Sequence, residues 1–170
     1  LTARWFAPGP GTLWEYRNVN YVLLGMILEN VYHTTWQEVV KNKLLDPGQM
    51  KNTFTSYTAM PTGKLTAGLW TTGTAGALVD RYWYYNSNAF STTIGPAGSV
   101  VSTASDLAHW ITQLFAGNII GKTWLDSMTT VCSGCQIPAD LGKGVRLAWG
   151  LGIEKDTAFG KVFWSHAGNA

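Results

Sequence analysis

The clearest periodic pattern begins at Asn18. Val19, Leu23, Ile27, Leu28 and Val31 recur at intervals of three and four, the spacing that lines one side of an α-helix. This predicts a helix over about 18–32 with that stripe buried. Asn18 or Asn20 is placed to cap its first amides, and His33 follows its end, where a cation suits the helix dipole. Upstream, Pro8-Gly9-Pro10-Gly11 sets a turn, with φ fixed at Pro and free at Gly. Thr34 and Thr35 each have an amide or acidic residue three positions on, Gln37 and Glu38, the pattern of a capping box. The helix they open runs to about Leu45, with Trp36, Val39, Val40 and Leu44 inward, until Asp46-Pro47-Gly48 stops it.

Later segments follow the same logic. Thr103 with Asp106 opens a third helix whose apolar face is Leu107, Trp110, Ile111, Leu114 and Phe115, and Gly117-Asn118 ends it. A short fourth helix is predicted over about 122–130, with Trp124, Leu125 and Met128 inward. Residues 49–60 are irregular, with a β-like piece around Thr53 to Tyr57. Pro61 to Asn88 has no period and is rich in Thr, Gly and aromatics, including Trp83-Tyr84-Tyr85. It reads as a long loop with short strands, whose aromatic cluster either packs into the core, the commoner role, or lines a binding cleft. Near the end, Ala148 to Glu154 and Lys161 to His166 read as two strands, with residues 155–160 as the hairpin connection.

Composition narrows the function. With 170 residues the chain can form one domain with a sizeable core. Charged residues make up 13%, about half the usual share, so solubility rests on Thr, Asn, Ser and Gly. The net charge is +2 and the basic residues are scattered, which argues against nucleic-acid binding, where a basic stripe is expected. The apolar run Val22 to Leu28 is far too short for a membrane span, and these residues contain no signal peptide. The chain starts at Leu1 and stops at Ala170 just after a motif, so it reads as an internal piece of a longer protein.

Cys132-Ser133-Gly134-Cys135 admits a redox pair, half of a metal site or a small disulfide loop. No βαβ pattern surrounds it, as a redox module needs, and His33, His109 and His166 are not spaced to complete a zinc site. A local disulfide or two idle thiols remain.

Three motifs occur in order: Tyr16-Arg17-Asn18 at a helix start, Pro96-Ala97-Gly98-Ser99-Val100-Val101-Ser102-Thr103-Ala104-Ser105-Asp106-Leu107-Ala108, and Trp149-Gly150-Leu151-Gly152 leading to His166-Ala167-Gly168 at a strand end. Together with Asp46-Pro47-Gly48-Gln49-Met50, this succession resembles the serine β-lactamase-like family. That family takes in class C β-lactamases, D-Ala-D-Ala carboxypeptidases and related esterases. The resemblance covers the whole chain. It implies an α+β class: a partial β-lactamase/transpeptidase-like fold, mostly its helical part plus an antiparallel hairpin of its sheet. Residues 1–170 would then be one partial domain, helical and looped over about 1–147, with the hairpin over about 148–170.

In that family a Ser in Ser-x-x-Lys attacks an acyl carbonyl, and the Tyr of Tyr-x-Asn moves protons. A phenol in water is only about 0.1% ionised at neutral pH, so it needs a neighbouring cation or a shaped pocket to serve. Carried over, the resemblance makes Tyr16 the proton-transfer residue, Asn18 the positioning amide and His166 the cation or donor beside Tyr16. Gly168 would let substrate approach the strand, and the amide of Asn169 would be an oxyanion donor. Arg17 stands where Ser is commoner and adds a cation that could alter substrate choice. His in place of Lys at position 166 looks more like the carboxypeptidases and esterases of the family. Gly48-Gln49 departs from the usual Leu-Gly.

No Ser or Thr in the chain has a Lys three residues on, so the nucleophile motif is expected upstream of Leu1. The reading is therefore a serine acyl hydrolase acting on an amide, ester or β-lactam, without metal or cofactor, whose 170 residues alone are inactive. Its partner would be a small-molecule or peptide acyl substrate, and its location extracytoplasmic or secreted. The alternative is a catalytically inactive binding or scaffold protein on the same fold. The substrate itself is not legible.

Overall fold

The computed structural model describes residues 15–56, 59–61, 69–71, 78–80, 94–132, 136–137 and 146–168. The Pro8–Gly11 turn, Asn169, Cys135 and most of the Pro61–Asn88 segment lie outside them. The chain forms two compact units. One holds Arg17–Gln113; the other holds the segment ending at Tyr16 together with everything from Leu114 on.

In the Arg17–Gln113 unit, helix α1 spans Asn18–Tyr32, as its periodicity predicts. Its cap differs from the expectation. Arg17 takes the extended cap conformation, φ −144° and ψ 128°, and its side chain makes no capping bond. Asn18 and Asn20 are already helical, so neither has the extended backbone a cap requires. His33 ends the helix in the left-handed region at φ 54°.

The buried stripe is also different. Val19, Leu23, Ile27 and Val31 are more than half exposed. The packed side runs through Tyr21, Val22, Gly25, Leu28 and Glu29 instead. Leu24 and Met26 are exposed as well, so the helix is apolar nearly all round and hydrophobic spacing alone selects no face. Gly25 selects it. A Cβ there would collide with the ring of Pro96, which lies in a 3-10 turn at Gly95–Ala97.

Helix α2 spans Trp36–Val40. Thr35 caps it, its hydroxyl accepting the Glu38 amide at 3.3 Å. The Trp36 amide donates to the Glu29 carboxylate at 3.1 Å, tying α2 to α1. The helix continues as a π-helical turn over Lys41–Leu45, in which the Asp46 amide reaches back to the Lys41 carbonyl at 2.9 Å. The wider turn inserts one residue into the helical register. Leu45 therefore becomes buried, while the predicted Leu44 is only half-buried. Trp36, Val39, Leu45 and Met50 form this unit's apolar core; full burial of such a side chain contributes roughly 1.5–3 kcal/mol.

The segment after α2 is held by polar groups. Phe54 and Val101 exchange antiparallel backbone bonds, both 2.8 Å. The buried Asp106 carboxylate accepts from the Asn52 amide and the Thr53 hydroxyl, each at 2.8 Å. Thr53 also shares a 2.7 Å bond with Ser102, and the buried Ser99 hydroxyl donates to the Thr55 carbonyl at 2.9 Å. Strands β1 (Leu69–Thr71) and β2 (Leu78–Asp80) pair antiparallel, with Trp70 opposite Val79.

Helix α3 spans Ala104–Phe115. Thr103 accepts the Asp106 amide at 3.1 Å, the cap its sequence predicts. Leu114 is buried and Trp110 half-buried, but Leu107 and Ile111 are about half exposed. Anchoring of Asp106 turns the packed side to Asp106, Trp110, Gln113 and Leu114.

In the other unit, α4 spans Lys122–Thr129 with Leu125 buried; Trp124, predicted inward, is 70% exposed. A four-stranded antiparallel sheet has the order β3 (Gln136–Ile137), β4 (Arg146–Trp149), β5 (Glu154–Ala158) and β6 (Lys161–Ser165). The predicted hairpin is shifted. Lys155–Ala158 belongs to a strand, and the β5–β6 turn is only Phe159-Gly160, both at positive φ. That is the backbone a tight two-residue hairpin requires. The polar residues of β5 hide its strand character from a search for apolar alternation. Cys132 is disulfide-bonded, and the chain's other cysteine is Cys135.

Candidate active site

The turn between β4 and β5 sets the site's floor. The Leu151 amide donates to the Met128 carbonyl at the end of α4, and the Gly150 amide donates to the Ile153 carbonyl, each at 2.9 Å. A Cβ on Gly150 would collide with that same Met128 oxygen, so this close approach requires glycine. The turn is thus clamped to α4, and its two ends, Trp149 and Glu154, face each other in register. Ser165 lies opposite Glu154 on β6. Trp149, Glu154 and Ser165 form one cross-strand row, and the next residue in the chain is His166.

Three rings gather beside that row. Tyr16 and His166, from opposite ends of the chain, have centroids 5.8 Å apart. Trp149 lies 5.8 Å from Tyr16 and 5.5 Å from His166, edge-on to the imidazole at 87°. The indole is buried at 8% exposure; Tyr16 and His166 face solvent. His166 Nδ1 lies 2.7 Å from the Ala167 carbonyl. A carbonyl oxygen only accepts, so Nδ1 carries the hydrogen there.

Two carboxylates share this region. Asp156 accepts the Ser165 hydroxyl at 3.2 Å. Glu154, half-buried, has its carboxyl pushed above the usual range by burial and by the neighbouring Asp156 charge, with His166 pulling the other way.

Tyr16 and His166 are therefore brought together. Arg17 and Asn18 stand at the exposed start of α1, in the other unit. Gly168 is exposed, with nothing within 4 Å of a Cβ built on it. Asn169 lies outside the described residues. Residue-level reading overlooked Trp149 and Glu154. The signal for Trp149 was present in Trp149-Gly150-Leu151-Gly152, a motif noticed without a role for its indole. A cavity of about 210 Å³ in the Arg17–Gln113 unit is lined by Phe54, Val101, Ser102 and Thr103, but the Ser102 and Thr103 hydroxyls are engaged in holding Thr53 and α3. Among the described residues no group of three or more His, Cys, Asp or Glu is placed to hold a metal ion, and no helix is long and apolar enough to cross a membrane.

Known proteins resemble this chain in sequence and fold. Protein flp of Staphylococcus aureus strain MW2 is 28% identical over 102 residues, 60% of this chain and 19% of that protein. The crystal structure of a D-stereospecific amidohydrolase from Streptomyces sp. superposes with a TM-score of 0.75 at 28% identity, covering 96% of this chain and 45% of that one. The D-amino acid amidase of Ochrobactrum anthropi SV3, complexed with D-phenylalanine, gives 0.69 at 25% identity, covering 89% and 43%. The chain thus spans about a fifth of the curated relative and under half of each solved structure. The family profile described as Beta-lactamase matches residues 1–170, from the segment that carries Tyr16 to the strand end that carries His166; the chain belongs to the Beta-lactamase family.

Proposed function

We propose that this chain is part of a serine acyl hydrolase that cleaves an amide, ester or β-lactam through an acyl-serine intermediate. The observation that supports it best is the meeting of Tyr16 and His166, at 5.8 Å between ring centroids. In this reading a serine from outside these 170 residues attacks the carbonyl. Tyr16, as its phenolate, takes the serine proton, and the phenol so formed passes it to the leaving group. The imidazole of His166, held by Ala167 through Nδ1, lies beside that ring and steadies the phenolate charge before the proton arrives and after it leaves. Asn18 and Arg17 at the start of α1 orient the substrate, Gly168 leaves room beside the strand, and the Asn169 amide donates to the oxyanion.

The substrates to try first are amides of D-amino acids, because two similar proteins are named for D-stereospecific amide hydrolysis. An oxidising, extracytoplasmic compartment fits the disulfide at Cys132. The missing Ser-x-x-Lys favours the alternative of a catalytically inactive binding protein if the full-length sequence lacks it too.

The test is hydrolysis by the full-length protein of a panel of D- and L-amino-acid amides, an acyl-D-Ala-D-Ala peptide, a chromogenic β-lactam and nitrophenyl esters. Turnover of one class, reduced about 100-fold or more in kcat by Tyr16→Phe, supports the assignment. No turnover of any class by folded protein counts against it.

A further inference from the structure

We infer that Trp149 is a positioning residue, which fixes the Tyr16 phenol and the His166 imidazole relative to one another. The inference rests on the catalytic reading of those two residues. Three observations carry it. The indole contacts both rings, at 5.8 and 5.5 Å, and meets the imidazole edge-on at 87°, one of the orientations aromatic pairs favour. It is 8% exposed while its two neighbours are open to solvent, so it supports them from beneath and does not reach a substrate. Its backbone is itself immobilised, because the Gly150–Ile153 turn that follows is bonded to the Met128 carbonyl.

The His166 side chain is also bonded within its own segment. Its Nδ1 bond goes to the adjacent Ala167, a local contact that moves with the chain and sets no position relative to Tyr16. The indole contacts both rings. A shift of about 1 Å in a proton-transfer pair can cost on the order of 100-fold in rate. Loss of the indole should therefore lower kcat and leave KM nearly unchanged, since the indole makes no substrate contact.

The experiment uses the full-length enzyme with Trp149→Leu and Trp149→Phe, each checked for folding by its amide NMR spectrum. Imidazole proton signals of His166 are identified by their loss in His166→Asn. An aromatic ring 5.5 Å away displaces those signals, a readout that general destabilisation of a folded protein does not mimic. The expected result is a shift of the His166 signals toward solvent-exposed values in Trp149→Leu, with kcat down about 10- to 100-fold and KM within about twofold. Trp149→Phe, which keeps a ring, should recover most of kcat. Unchanged His166 signals in folded Trp149→Leu overturn the inference, as does a loss expressed in KM with kcat intact. If the wild type turns over no substrate, the catalytic reading fails, and the positioning role falls with it whatever the ring signals show.

Discussion

The ring of Pro96 occupies the space into which a side chain on Gly25 would project. Two of the motifs that mark the family therefore pack on one another: the helix that follows Tyr16-Arg17-Asn18, and the Pro96-Ala97-Gly98-Ser99 segment. On an exposed helix, Gly→Ala stabilises by about 1 kcal/mol. Here Gly25→Ala should destabilise, by roughly 1–3 kcal/mol, because overpacking against a ring fixed to its own backbone finds no easy relief. A thermal or urea melt decides the sign; a gain in stability would show that Pro96 yields.

Asp106 joins residues 52–53 to the start of α3. Burial alone pushes its carboxyl up, but bonds from the Asn52 amide and the Thr53 hydroxyl outweigh it, helped by His109, and the net direction is down. A carboxyl lowered in the folded state contributes stability above its unfolded pKa, near 3.9, and loses it as pH falls through the lower folded value. Asp106→Asn should lose roughly 1–3 kcal/mol at neutral pH, because a neutral amide oxygen accepts these bonds less strongly than a carboxylate. The deficit should shrink in acid below pH 3, as read from urea midpoints at several pH values.

Glu154 has the opposite sign. Burial, then Asp156, raise its carboxyl, against the pull of His166. The folded state therefore holds the proton more tightly. Its contribution is intact below the unfolded pKa, near 4.3, and is lost as pH rises through the folded value. Glu154→Gln should match the wild type in stability near pH 3 and exceed it at pH 7. Equal or lower stability of the variant at neutral pH would refute this, as measured by denaturant midpoints at the two pH values.

Tyr16 and His166 should behave as one unit. Residues in contact show non-additive energetics. Tyr16→Phe and His166→Asn should each lower kcat of the full-length enzyme by about 100-fold or more. The double variant should be little worse than the poorer single one. Multiplying effects in a double-mutant cycle would mean that the two act separately.

These contrasts show where the sequence was readable. The bounds of α1 were legible because a long apolar run is framed by polar residues at Asn18 and His33. Its packed face was not, because Leu23, Leu24, Met26 and Ile27 surround it with apolar side chains, and only the distant Pro96 distinguishes Gly25. Leu45 replaced Leu44 because a π-helical turn leaves no mark in residue spacing. Most of strand β5 reads as a turn because Lys155, Asp156 and Thr157 are polar on both faces. Residue spacing also could not reveal that Tyr16 and His166 meet; family resemblance suggested it. Trp149 escaped because its part in the cluster depends on the β4–β5 register and the clamp on Met128.

The central claim is an acyl-serine enzyme in which Tyr16 moves the proton. Its most direct test is intact mass spectrometry of the full-length protein after exposure to a penicillin or a fluorophosphonate, with Tyr16→Phe in parallel. The account predicts one covalent adduct per molecule on a serine, formed at least about 100-fold more slowly in the variant. A folded wild-type protein that carries a Ser-x-x-Lys and forms no adduct with either reagent, or a variant that reacts as fast as the wild type, would contradict it.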